Sequence, residues 1–444
     1  MNQAFLDYYR CPDCYADFRH SGADPPHEPG YFRFGPEAIC YGKCDAVPCM
    51  SSETHALHDV LSVVRIEGRT CFLPFDLDEV ITNFRHEHYL TDTREKSSWK
   101  NALWNAYYHV RPGLPVGVRR FLQRVWLKGW ERTAFPSWPV DCSVERILEK
   151  TMGLALQAHQ SRVPFIWFWP EGKPSCAIMT HDVETASGLN SCTSLMDIDD
   201  SFAIKSSFQF IPRARYTVPS STLDGIRRRG FEINVHDLFH DGFLYRDQDK
   251  FRQKAAHINE AMAKFSSKGF RAGCLYRNLD WYGAFSFSYD MSAPNVAHLE
   301  PQPGGCCTVT PFFAGNVLEL PLTTVEDYSL FHILRSCSTE LWRQQIEMVM
   351  QCHGLVSFLV HPDYLDTTER KGAYHALLQH IQQLRAEKNF WITLPGEVDT
   401  WWRQRSKMQI VPDGSGWKID GPGAERARLA YASLEQGKVV YSLN

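Results

Sequence analysis

Four apolar runs in this chain end in residues able to move protons or hold metals. Cys-Ala-Ile-Met-Thr (176–180) leads into His181, Asp182, Val183 and Glu184, and Phe-Glu-Ile-Asn-Val (231–235) into His236, Asp237, Leu238, Phe239 and His240. Gly269-Phe270 leads into Arg271, and Leu-Val-Ser-Phe-Leu-Val (355–360) into His361, Pro362 and Asp363. His236 and His240 are four residues apart directly after a strand-like run. If a helical turn follows, both rings lie on one face, and two imidazoles at that spacing are a common half of a zinc site. Along an extended chain, residues two apart point the same way, so Asp182 and Glu184 face together and Val183 faces away. One carboxylate can complete a His/His/carboxylate metal set while the other acts as general base on a water. Arg271 could hold a carboxylate through two parallel hydrogen bonds. Each piece alone also has a plainer reading: a chance pair of histidines, a solvated strand end, a surface salt bridge for Arg271, a buried structural ring for His361.

The elements that would position these groups are legible as a pattern. From about residue 163, short apolar runs alternate with helical stretches: 163–169, 176–180, 207–211, 231–235, the short approach to Arg271, 285–289, 317–322, 355–360 and 390–394. Between them, 339–353 places Trp342, Ile346 and Val349 on one helical face, and 372–388 repeats Tyr374, Leu377, Leu378, Ile381 and Leu384 at helical intervals. Such alternation predicts an α/β fold with a mostly parallel sheet and helices outside it, closed as a barrel or open. Active sites of these folds gather at the carboxyl ends of the strands, so four strand ends can converge on one pocket.

The flanks read differently. Residues 1–50 are rich in Cys, Gly, Pro and aromatics, with weak periodicity. Helical spacing is expected over 77–90, and a basic amphipathic helix, with one solvated face or a membrane or partner contact, over 111–130. Pro136 and Trp138-Pro139 predict a turn. The Gly-punctuated tail predicts a small β-hairpin appendage. The expected division is an N-terminal mixed α+β region (1–160), a barrel (161–405) and the tail (406–444).

Composition bounds the function. At 444 residues the chain is long enough for more than one core. A net charge of -4 gives no electrostatic case for nucleic acid. The N-terminus has no charged start followed by an apolar run, and no stretch reaches the roughly 18 apolar residues of a membrane helix. A soluble, cytoplasmic protein with mostly reduced thiols among its 14 cysteines is expected. Cys11 and Cys14, with Cys40, Cys44 and Cys49, could supply a structural zinc site, but the second group lacks the tight spacing of such sites, and buried or incidental thiols are expected.

The order and context of the stretches IMTHDVE, FEINVHDLFHDG, GFRAGCLY, LELPLTTVEDY and LVSFLVHPDY resemble the polysaccharide deacetylase family, also called the NodB-homology or carbohydrate esterase family 4 group. The resemblance spans roughly residues 174–395. It implies a distorted (β/α) barrel holding one divalent metal, Zn²⁺ first, with Co²⁺, Ni²⁺ or Mn²⁺ as substitutes. His236 and His240 match the family's ligands, Arg271 its base-orienting arginine and His361 its general acid. The family opens with adjacent aspartates where this chain has Asp182-Val183-Glu184, so Asp182 is assigned as base and Glu184 as ligand on the same-face argument, with the reverse still open. Gly273 stands where the family has proline. Cys274 and Tyr276 fall in its substrate and oxyanion segment, Cys274 through its backbone N–H. Glu319 or Asp327 falls near its fourth motif. The implied activity is removal of an N-acetyl, secondarily an O-acetyl, group from a sugar or polysaccharide. The alternatives are an amide hydrolase with a non-sugar substrate and a non-catalytic carbohydrate-binding or scaffold protein.

Overall fold

The computed structural model describes residues 2–22, 28–90, 114–213, 215–414 and 416–443. Its central feature is a curled nine-stranded sheet. In chain order the strands are β1 (Cys176–Val183), β2 (Ser207–Phe210), β3 (Glu232–His236), β4 (Gly269–Arg271), β5 (Tyr289–Asp290), β6 (Phe312–Ala314), β7 (Val317–Glu319), β8 (Leu355–Leu359) and β9 (Trp391–Thr393). Their spatial order is β6-β7-β5-β4-β3-β2-β1-β8, with β9 also paired to β1. All pairings are parallel except the β6–β7 hairpin. Helices Ala186–Ser201, Ser220–Arg228 and Gln248–Lys264 follow β1, β2 and β3, and Thr368–Lys388 follows β8. This is the α/β, distorted (β/α) barrel expected from the alternating pattern.

The last gap of the barrel, between the chain after β7 and β8, is closed by side chains. The Thr323 hydroxyl donates to the Leu355 carbonyl (2.7 Å) and accepts from the Ser357 N–H (2.9 Å), and the Thr324 hydroxyl donates to the Ser357 carbonyl (2.8 Å). Each hydroxyl supplies a bond that a neighbouring strand's backbone would otherwise make.

Residue alternation along β1 separates two cores. Ala177, Met179 and Val183 pack with the outer helices, against Leu195, Phe208 and Tyr374. Cys176 and Ile178 face inward, into a second cluster shared with Leu318, Leu320, Phe5, Tyr9, Trp169 and Trp401. The base of the barrel is therefore filled by residues from the N-terminal region and from the helix Pro395–Arg405.

Some elements differ from the sequence expectations. The run 163–169 does not join the barrel. Its strand Val163–Ile166 pairs antiparallel with Leu429–Glu435, which pairs with Lys438–Leu443. An all-apolar run signals burial on both sides but carries no information about which partner buries it. The tail forms two hairpins, the other being Gln409–Asp413 with Gly416–Asp420. Of 285–289 only Tyr289 enters the sheet, after a 3₁₀ helix over Leu279–Ala284. The 77–90 segment is helical over Leu77–Arg85 and then turns at Glu87, whose φ of 59° lies in the left-handed region. The basic helix runs over Val116–Trp126; residues 111–113 of that expectation lie outside the described residues. Among the described residues, no helix is long and apolar enough to cross a membrane.

Candidate active site

Asp182 shares its face of β1 with Thr180, Ile178 and Cys176, and this face ends in the barrel mouth. Val183 points to the opposite core, as alternation predicts. Just past β1, Thr185 caps the next helix by accepting from the Gly188 N–H (2.9 Å) and donates to Oδ2 of Asp363 (2.7 Å). That bond ties the end of β1 to the segment after β8. His181 is fully buried on the outer side, between the Val360 carbonyl (3.0 Å) and Asp199 Oδ2 (3.1 Å), and takes no part in the pocket.

His236 closes β3. Its Nδ1 lies 3.1 Å from the Arg271 carbonyl oxygen. A carbonyl only accepts, so Nδ1 carries the proton and the Nε2 lone pair is free to bind. No helical turn connects His236 to His240. Asp237 and His240 both have left-handed φ of 54°, and this irregular turn brings the two rings to a centroid distance of 4.7 Å. Arg215 supports the turn from outside, its Nη2 donating to the His240 carbonyl at 2.9 Å.

The inward nitrogens converge on one oxygen. Glu184 Oε1 lies 2.6 Å from His240 Nε2, 3.6 Å from His236 Nε2 and 3.5 Å from His361 Nε2. Among the described residues, neither His236 Nε2 nor His240 Nε2 has a hydrogen-bond partner of good geometry, although both are buried. Two orphaned imidazole nitrogens beside a carboxylate fit a divalent cation. The separations bracket the roughly 3.3 Å edge of a tetrahedral site with bonds of about 2.0–2.1 Å. Asp182 Oδ2 stands 3.5 Å from His236 Nε2, while its Oδ1 accepts from Arg271 Nη1 at 2.9 Å. Arg271 also donates from Nη1 to the Thr180 hydroxyl (2.8 Å) and from Nε to the Met291 carbonyl (2.9 Å). The expected two-pronged grip is absent: one nitrogen contacts the carboxylate, and the buried Nη2 has no partner among the described residues.

His361 is gripped by one residue. Its Nδ1 lies 2.7 Å from Asp327 Oδ1, and its backbone N–H donates to Asp327 Oδ2 at 2.8 Å. Tyr364 stacks on the ring at 4.4 Å. Of the two acids near the fourth motif, Asp327 thus meets the site. Glu319 lies beneath it, accepting from the Ala293 N–H (2.9 Å).

Burial alone would raise the carboxyls of Asp182 and Glu184. For Asp182 the charges of Arg271 and then His236 outweigh it and hold the group below its ordinary value. For Glu184 the facing His240, His236 and His361 hold it well below. Burial disfavours an imidazolium at His361, but Asp327, then Glu184, push it well above its ordinary value. The geometry thus pairs two ionised carboxylates with a protonated imidazole.

Gly273 explains its own identity. A Cβ there would lie 2.6 Å from Asp237 Oδ2 and 3.0 Å from the His240 ring. Cys274 and Leu275 follow with left-handed φ of 56° and 53° and line the cavity, whereas Tyr276 is not among the lining residues.

The cavity above these groups has a volume of about 600 Å³. It is also walled by residues the sequence reading did not single out: Arg215, Glu300, Glu326 and Tyr364, with Arg119 and Arg120 from the helix Val116–Trp126. Burial lifts the Glu300 carboxyl to about 7, against the pull of Arg277, and burial and then the charge of Glu300 lift Glu326 well above its ordinary value. Glu326 was within reach, since it adjoins Asp327 in the quoted LELPLTTVEDY stretch. Arg215 and Glu300 lie in irregular segments where no periodicity marks a face. No group of three or more candidate metal ligands among the described residues includes a cysteine.

No protein-family model and no curated protein matches this sequence. Solved structures do. A candidate polysaccharide deacetylase from Mycobacterium smegmatis is 20% identical over 54% of this chain and 93% of its own, with a TM-score of 0.42. A family 4 acetyl xylan esterase from Clostridium thermocellum, solved with a cobalt ion, is 17% identical over 51% of this chain and 91% of its own, at 0.33. The PuuE allantoinase is 12% identical over 53% of this chain and 92% of its own, at 0.40. Each of these alignments covers about half of this chain.

Proposed function

We propose that this chain is a metal-dependent deacetylase of the polysaccharide deacetylase kind, hydrolysing an N-acetyl group on a sugar or glycan. The observation that carries the reading is the convergence of three imidazole nitrogens on Glu184 Oε1, beside an Asp182 kept ionised by Arg271, on the floor of a cavity. Glu184, His236 and His240 would hold the ion, with zinc the best match to two imidazoles and one carboxylate. When bound, the ion supplies Lewis-acid polarisation of the acyl carbonyl and eases deprotonation of a water.

The remaining steps belong to the chain's own residues. Asp182 is the general base, taking the proton of the attacking water on Oδ2, the oxygen turned away from Arg271. The backbone N–H of Cys274, at the cavity wall, is a donor to the developing oxyanion. His361, protonated on Nε2 and held through Nδ1 by Asp327, gives its proton to the departing amine. Bond breaking is then balanced: the acyl carbon gains the water oxygen and leaves as acetate, and the nitrogen leaves as an amine. Phe239, Tyr328 and Tyr364 offer apolar faces to a sugar ring.

The test combines metal analysis with acetate release from N-acetylated mono-, oligo- and lipid-linked sugars. Asp182→Asn should keep the metal and lose acetate release. Glu184→Gln, or His236→Ala with His240→Ala, should lose both. Loss of metal from Asp182→Asn with retention in Glu184→Gln would reverse the two acids, and full activity in Asp182→Asn would sink the reading.

A further inference from the structure

A second cluster of ligand-bearing side chains lies outside the cavity, where the N-terminal region meets the barrel. After the helix Leu77–Arg85 the chain turns through His86, Glu87 and His88. Glu87 points inward. Its Oε1 lies 2.5 Å from Nη2 of the fully buried Arg277 and 2.5 Å from the Gly305 N–H. With the centre of the turn clamped, the residues on either side point the other way, toward Asp280 of the 3₁₀ helix Leu279–Ala284. His86 Nδ1 lies 2.7 Å from Asp280 Oδ1, and His88 Nε2 lies 3.0 Å from Oδ2 and 3.3 Å from Oδ1. His88 is oriented from behind by Asn83, whose Oδ1 is 3.1 Å from Nδ1. That carbonyl-type oxygen fixes the proton on Nδ1 and leaves Nε2 as the ligand atom.

We propose that His86, His88 and Asp280 form a second divalent-metal site, of zinc or a similar imidazole-seeking ion, separate from the cavity. One ligand atom from each residue lies within 4.8 Å of the others. The contacts of 2.7, 3.0 and 3.3 Å approach the roughly 3.3 Å edge of a tetrahedral zinc site, so an ion enters with small rotations of the half-buried rings. His86 and His88 are half-buried and Asp280 is exposed, so water can take the fourth position. Two imidazoles and one carboxylate favour zinc, nickel or copper over calcium or magnesium. The ion joins the turn at 86–88 to the segment 277–284, which continues the loop of Cys274. It is a structural staple that braces one wall of the cavity from outside.

The experiment counts metal in full-length protein after loading with zinc and gel filtration. Wild type should carry two equivalents. His236→Ala/His240→Ala should carry one, and adding His86→Ala/His88→Ala to that variant should leave none. Asp280→Asn tests the same site without touching a histidine, and in the His236→Ala/His240→Ala background it should abolish the rise in Tm that zinc produces. Circular dichroism spectra matching wild type would show that the variants are folded. If the cavity variant holds no zinc, or holds the same amount with and without His86 and His88, the second site does not exist. If instead wild type and the cavity variant hold equal zinc that His86→Ala/His88→Ala removes, the second site stands and the cavity is not a metal centre.

Discussion

Arg271 fixes Asp182 and His236 at once: its Nη1 donates to Asp182 Oδ1 at 2.9 Å, and its carbonyl oxygen receives His236 Nδ1 at 3.1 Å. Side chain and backbone of one residue thus set the charge of the proposed base and the tautomer of a proposed ligand. Both charges of the ion pair are buried. Arg271→Met strips Asp182 of its partner and should cost about 3–5 kcal/mol, the usual result of orphaning a buried charge. Adding Asp182→Asn should return much of that loss, while hydrolysis stays abolished. Urea unfolding of the four-member cycle measures this; strictly additive losses would count against the pairing.

Asp327 holds His361 by both its imidazole and its backbone N–H. Asp327→Asn keeps an acceptor of similar shape but removes the charge. The turnover number should fall by about 100-fold or more, the usual weight of a general acid, with metal content unchanged. A fall in metal content as large as that in turnover would show that Asp327 acts through the metal ligands instead.

Gly273→Ala places a methyl 2.6 Å from Asp237 Oδ2 and 3.0 Å from the His240 ring. Overpacking of this kind costs about 1–3 kcal/mol, and here the group displaced is a proposed ligand. The variant should unfold at lower urea concentration and bind zinc more weakly, measured by competition with a chromophoric chelator. Unchanged zinc affinity would show that the His240 ring can yield without moving its Nε2.

Glu145, buried in the helix Ser143–His159, accepts at Oε1 from the hydroxyls of Thr308 (2.5 Å) and Thr310 (3.0 Å) and the Val309 N–H (3.1 Å), while its Oε2 has no hydrogen-bond partner among the described residues. Burial raises its carboxyl above the ordinary value despite these donors. The folded chain therefore holds this proton more tightly than the unfolded chain. Stability from this group is greatest below the unfolded value of about 4.3 and is lost as pH rises from there through the folded value. Glu145→Gln keeps the Oε1 acceptor and cannot ionise, so its stability relative to wild type should increase as pH rises from about 4 through the raised folded value. A pH-independent difference in paired urea melts would refute the assignment.

Much of the barrel and its centre was legible because each catalytic candidate follows an apolar run, and strands that end in charge mark the mouth of an α/β fold. The facing of Asp182 and Glu184 came from period-two alternation alone. His236 and His240 were found by a spacing that anticipated a helical turn, yet two left-handed residues do that work. Left-handed backbone at a non-glycine residue leaves little mark on a sequence. Arg215 and Glu300 were invisible for a related reason: they sit in irregular segments and reach the pocket through tertiary placement only. The run at 163–169 announced its burial but not its partner, which comes from residues 429–435 at the far end of the chain.

The seam that closes the barrel gives the His361–Asp327 pair a mechanical meaning. Thr323 and Thr324 grip the backbone of Leu355 and Ser357 through their hydroxyls, and Asp327 then grips the backbone of His361 through its carboxylate. The same stitch pattern climbs from the start of β8 to the mouth, and its topmost stitch is the proposed proton donor with its carboxylate. The latch of the barrel and the proposed acid are one contact. Slow opening along this seam would release both together, so amide-hydrogen exchange at Ser357 and His361 reports on the integrity of the active site as directly as turnover does.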